Sequence, residues 1–218
     1  MTTRAVIFDM DGLLIDTEPV WRRVEREVFG ALGLHLTDEQ GMETMGIRVK
    51  EVAALWYSRY PWTGPSVEDV AQRIVDGVIA FVRTEGRPNP GVRRAVETIA
   101  EAGLPIAIAS SSGVELIDAV IDRLDLRTFV SAIASAEHEA EGKPHPAVYL
   151  SAARLLGVPP ETCVAFEDSP NGVLSAKGAG MYCIAVPDKH LAGDARLQQA
   201  DRTLPSLEDF RLSDLPGF

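Results

Sequence analysis

Ala5-Val6-Ile7-Phe8-Asp9-Met10-Asp11-Gly12 is the stretch from which the rest of the chain is read. Four apolar residues, β-branched and aromatic among them, run into an acidic pair and a glycine. That is the pattern of a buried strand whose carboxyl end opens into a turn. Open α/β sheets place their ligands at such strand ends. Asp11-Gly12 also suits an ordinary turn with no further purpose, so the remainder of the chain has to distinguish the two.

After Asp16 the pattern turns helical. Thr17 is placed to cap the helix, Glu18 and Pro19 suit its first turn, and Gly33 ends it. Trp21, Val24, Val28, Phe29 and Leu32 recur every three or four residues and give it one apolar face. Further helices are expected at 49–60 and from Ser66 to about Thr84, the latter with Asp69 closing a capping box. No strand is expected from 17 to 85, so this is a helical block inserted after the first strand. Gly86-Arg87-Pro88-Asn89-Pro90-Gly91 leads back from it.

Beyond that linker, strands at 104–109, 130–134, 163–166 and 181–186 alternate with helices at 92–102, 114–124, 146–156 and 170–177. Such alternation implies βαβ units and a parallel sheet. The expected fold is α/β, a Rossmann-like doubly wound parallel sheet made of residues 1–16 and 87–218, with the helical block at 17–86. The tail from Leu191 carries little pattern.

The chain has 218 residues, 46% hydrophobic and 24% charged, which suits an ordinary globular protein. Its net charge of -11 argues against a nucleic-acid surface. An anionic substrate would need a strong local positive field. Cys163 and Cys183 lie in apolar runs and read as free buried thiols. Residues 1–4 lead straight into the first strand with no room for a signal sequence, and no apolar stretch approaches the ~20 residues of a membrane span. A cytoplasmic monomer, with neither nucleic acid nor membrane as partner, is expected.

Four polar clusters fall at or just beyond strand ends: Asp9 with Asp11, Ser110, Lys143, and Glu167 with Asp168. In a parallel sheet these converge on one rim. Ser110 to Ser112 could instead cap the next helix, Glu167 and Asp168 could face a helix N-terminus, and Lys143 could be solvated. All four coinciding on one rim favours a site. Gathered carboxylates repel unless a cation sits among them, and oxygen donors without His or Cys suit Mg²⁺. A lysine and a hydroxyl beside the metal would cradle a phosphoryl group, so the chemistry implied is phosphoryl transfer.

In these motifs the chain resembles the haloacid dehalogenase superfamily, with Asp9-Met10-Asp11-Gly12, Ser110, Lys143-Pro144 and Glu167-Asp168 as its four motifs in order. The block after the first motif resembles that superfamily's small cap domain. Residues 12–19, Leu55-Trp56-Tyr57 and Pro61-Trp62-Thr63-Gly64-Pro65 are similar to bacterial phosphatases that hydrolyse 2-deoxyglucose 6-phosphate and hexitol phosphates. The resemblance implies Asp9 as nucleophile, forming an aspartyl-phosphate, and Asp11 as acid and then base, protonated at first encounter. It implies Ser110 and Lys143 holding phosphoryl oxygens. Mg²⁺ would lie on Asp9, Asp168 and the main-chain carbonyl of Asp11, with Glu167 in or near its shell.

The substrate implied is a small phosphorylated sugar or polyol. Arg48 matches a substrate-facing cap arginine of related mutases, and Ser111 and Asn171 are further substrate candidates. Glu18 and Trp21 either contact sugar hydroxyls or pack the hinge. Lys50, with Arg48 and Glu51 beside it, reads as solvent-facing. A β-phosphoglucomutase-like isomerase is the alternative, but mutases carry histidine where Trp21 stands, and 66–84 holds no lysine for a second phosphate. A non-enzymatic phospho-accepting receiver is disfavoured by the acidic pair on the first strand.

Overall fold

The computed structural model describes residues 2–44, 47–187, 191 and 193–218, without the side chains of Glu18 and Met42. Among the described residues, six parallel strands form one sheet: β1 (Ala5–Phe8), β2 (Ile106–Ser110), β3 (Val130–Ser135), β4 (Cys163–Glu167), β5 (Tyr182–Ala185) and β6 (Arg202–Thr203), in the order β3-β2-β1-β4-β5-β6. Five match the expected strands to within two residues at each end. The sixth is two exposed residues paired to β5, too short to leave a sequence pattern.

The side chains of β1 alternate between two cores. Val6 and Phe8 point into one, where Phe8 stacks on Phe166 with ring centroids 4.9 Å apart; Ala5 and Ile7 point into the other. Full burial of one such aromatic side chain stabilises by roughly 2–3 kcal/mol. Helices α5 (Val92–Glu101) and α6 (Val114–Arg123) cover the Phe8 face, and α7 (Ala147–Leu156) and α8 (Pro170–Gly178) the Ala-rich face. This is the doubly wound arrangement. Cys163 and Cys183 are buried free thiols. Among the described residues, no helix is long and apolar enough to cross a membrane.

Between β1 and α5 lie α1 (Glu18–Gly30), α2 (Asp38–Glu43), α3 (Val49–Arg59) and α4 (Val67–Glu85). The capping box of Ser66 with Asp69 opens α4 as expected. Gly77 lets α4 approach α1 closely, since a Cβ there would stand 2.7 Å from Val24 Cγ1. Lys50 is exposed and paired with Glu68. The outgoing and returning segments are tied side by side: the Asn89 amide donates to the carbonyls of Gly12 (2.7 Å) and Leu13 (3.0 Å). Arg123 of α6 donates to the carbonyl of Gly86 at 2.9 Å.

One local expectation is corrected. Thr17 sits at the N-cap of α1 but makes no side-chain cap hydrogen bond. Its hydroxyl is used on Asp11 instead, 2.7 Å away.

Candidate active site

Register brings the acidic residues together. Phe8 is paired with Phe166, so Asp9 and Glu167 follow as neighbours at the carboxyl end of the two central strands. The next strand over, β2, ends in Ser110. Lys143 enters from the loop between β3 and α7. Its Nζ lies 2.6 Å from Asp9 Oδ1 and 2.5 Å from Glu167 Oε1, and all three side chains are buried.

Two carboxylates thus share one ammonium in a buried site. Burial, reinforced by Glu167 and offset by Lys143, pushes Asp9 up to about 7. Burial alone would lower Lys143, but the carboxylates of Asp9 and Glu167 raise it. Tyr149 of α7 was not anticipated from the sequence. Its hydroxyl donates to the same Glu167 oxygen at 2.6 Å, and Glu167 Oε2 accepts from the Ser169 amide (3.3 Å) and hydroxyl (3.2 Å). Burial, then the Glu167 charge, holds Tyr149 well above its ordinary value, so it remains a donor.

Asp11 is met from both sides. Thr17 (2.7 Å) and the Trp21 indole (3.0 Å) donate to Oδ1; Ser112 (2.7 Å) and, more weakly, Ser110 (3.4 Å) donate to Oδ2. Neither Ser110 nor Ser112 caps the following helix, whose N-cap is Gly113.

Asp9, Glu167 and Asp168 each offer a carboxylate oxygen, these atoms lying within 4.8 Å of one another. The set is buried and all-oxygen, which fits a hard divalent cation. Gly12, at φ 83, makes room for the third member: a Cβ there would meet Asp168 Oδ2 at 2.1 Å.

Above this floor is a cavity of about 70 Å³. Asp9, Asp11, Ser110, Ser111, Lys143 and Asp168 line it from the sheet side, and Trp21, Arg22, Glu25 and Thr44 from the helical insertion. Trp21 therefore reaches both the cavity and Asp11. Two expected substrate residues are not among those brought to the cavity. Arg48 is not among the lining residues; its guanidinium donates to the carbonyls of Ala136 (3.1 Å) and Glu139 (2.9 Å) and pairs with Glu51. Asn171 does not line the cavity either, its amide oxygen accepting from Arg196 at 3.0 Å. The Glu18 side chain lies outside the described residues.

Glu25 and Tyr149 were missed, though one left a trace. Glu25 falls within the apolar series Trp21, Val28, Phe29 and Leu32, where a charge is out of place. Tyr149 leaves no such trace, since a single tyrosine within a helix carries no pattern of its own.

Residues 3–180 match the family model described as haloacid dehalogenase-like hydrolase. The chain is 45% identical over 215 residues to hexitol phosphatase B of Escherichia coli K12, covering 98% of this chain and 96% of that protein. The crystal structure of CbbY from Rhodobacter sphaeroides in complex with phosphate superposes with a TM-score of 0.86 at 30% identity, covering 98% and 99% of the two chains. The β-phosphoglucomutase of Clostridium difficile superposes with a TM-score of 0.84 over 98% and 95% of the chains, at 20% identity, which speaks to the fold alone.

Proposed function

Because the chain belongs to the haloacid dehalogenase-like hydrolases, we propose that it is a Mg²⁺-dependent phosphatase of small sugar or polyol phosphates, acting through an aspartyl-phosphate on Asp9. The observation that carries this reading is the buried Lys143 ammonium held between Asp9 and Glu167, with Asp11 next to them on the cavity floor. The 45% identity to a hexitol phosphatase supports the substrate class.

Asp9 attacks phosphorus as the bond to the leaving oxygen breaks, and Asp11 gives that oxygen a proton. Asp11 then takes a proton from water. The water oxygen bonds to phosphorus, the Asp9–phosphorus bond breaks, and both aspartates are regenerated. Lys143 and Ser110 hold phosphoryl oxygens. Asp9, Asp168 and the Asp11 main-chain carbonyl would hold Mg²⁺, which when bound neutralises the charge that otherwise repels the phosphate dianion. Both oxygens of Glu167 are engaged by Lys143, Tyr149 and Ser169, so Glu167 serves chiefly to aim Lys143.

In this reading residues 17–86 form a cap over a core of 1–16 and 87–218, and the protein works as a cytoplasmic monomer. Water is the final acceptor in preference to a second sugar hydroxyl, because no lysine of the insertion lines the cavity among the described residues. The test is phosphate release from hexitol, hexose and glycerol phosphates. Asp9→Asn should abolish it and EDTA should suppress it; undiminished turnover in EDTA would overturn the metal assignment, and release by Asp9→Asn the nucleophile.

A further inference from the structure

Thr17, Trp21 and Glu25 stand in one i, i+4 row on α1. The first two touch Asp11; the third lies one turn further on, about 6 Å along the helix axis. Glu25 is 7% exposed and lines the cavity, and it also borders a smaller one beyond it with Arg26, Leu36 and Asp38. Burial pushes its carboxyl up to about 7 against the pull of Arg22. A carboxyl kept at such a position carries a desolvation cost, which hydrogen-bond donors from a ligand would offset.

The charges around the cavity restrict what that ligand can be. Among the described lining residues, the positive charges are Lys143 on the floor and Arg22 in the ceiling, and Arg22 shares its helix with Glu25 at i, i+3. A second anionic group under the ceiling would meet the Glu25 carboxylate. An uncharged hydroxylated chain would meet an acceptor in Glu25, a donor in Arg22 and the hydroxyl of Thr44.

We propose that Glu25 selects the leaving group: it accepts hydrogen bonds from the hydroxyls of a neutral sugar or polyol chain and rejects leaving groups that carry a second anion. The inference rests on the phosphatase reading above and specifies its substrate class.

Comparison of kcat/KM at pH 8.5, where the Glu25 carboxyl is ionised, for sorbitol 6-phosphate and gluconate 6-phosphate tests it, since the two have the same chain length but the second ends in a carboxylate. Wild type should prefer sorbitol 6-phosphate at least tenfold. Glu25→Gln should shrink that preference about tenfold, while Glu25→Asp, which keeps the charge, should retain most of it. Equal use of the two substrates by wild type overturns the assignment. So does an unchanged preference in a Glu25→Gln variant whose circular dichroism and melting match wild type. Should Glu25→Gln not fold, Glu25→Met, an uncharged side chain of similar length that suits a buried position, takes its place in the same comparison. Absence of phosphate release by wild type from both compounds, and from p-nitrophenyl phosphate, would overturn the phosphatase reading itself.

Discussion

The indole Nε1 of Trp21 donates to Oδ1 of Asp11 across 3.0 Å, joining the helical insertion to the loop after β1 through a side chain that cannot accept in return. Asp11 Oδ1 is thereby fixed as an acceptor, and its orientation depends on where α1 sits. A hydrogen bond to a charged group is worth ~1.5–3 kcal/mol. Trp21→Phe, which keeps the ring and removes the donor, should lower kcat by roughly tenfold or more. Steady-state phosphate release measures this, and a kcat within twofold of wild type would show that the bond has no part in orienting Asp11.

Tyr149 and Lys143 donate to one oxygen of Glu167. Tyr149→Phe leaves that oxygen with a single donor and should cost about 1 kcal/mol of stability, read from urea unfolding. A severalfold fall in kcat/KM should accompany it, because Glu167 aims Lys143. Unaltered kinetics would make Tyr149 a purely structural support.

Glu25 gives a signed pH dependence. Its carboxyl rises from the ordinary 4.5 to about 7 on folding. Between those values the folded state binds more protons than the unfolded one, so this group's contribution to stability is present below pH 4.5 and lost as pH rises toward 7. The full loss is roughly 3 kcal/mol. Glu25→Gln should remove that dependence, gaining on wild type between pH 5 and pH 8 in denaturant unfolding. A difference that stays constant with pH would contradict the burial argument.

Gly172 is packed against the Glu167 carboxyl: a Cβ there would lie 1.9 Å from its carbon. Glu167 is held by Lys143, Tyr149 and Ser169 and has nowhere to retreat. Gly172→Ala should destabilise by ~3 kcal/mol or more and lower activity with it; a wild-type melting temperature would exclude this packing.

The parts of the structure legible in the sequence were those encoded locally. Runs such as 5–8 and 163–166 are buried on both faces and so are apolar throughout, and the polar residue that follows each run, Asp9 or Glu167, marks the rim. The contacts that join the insertion to the core were not legible. Trp21 read as part of an apolar face and as a residue of the sugar site or the hinge, and Thr17 as a helix cap, since nothing local says that β1 turns its loop back beneath α1. The partners that Arg48 has in the structure, loop carbonyls some 90 residues away, leave no local signal either. Glu25 was legible in principle, as a charge within an apolar helical series.

Arg48 grips main-chain carbonyls of the loop that leads to Lys143, over Gly142, where a Cβ would come 3.0 Å from its Nε. Every residue type has a carbonyl, so side chains at 136, 139 and 140 can drift over evolutionary time without loosening that grip. Pairwise covariation between Arg48 and those positions should therefore be silent, although they are in direct contact. The expected signature is invariance of Arg48 and of the small residue at 142.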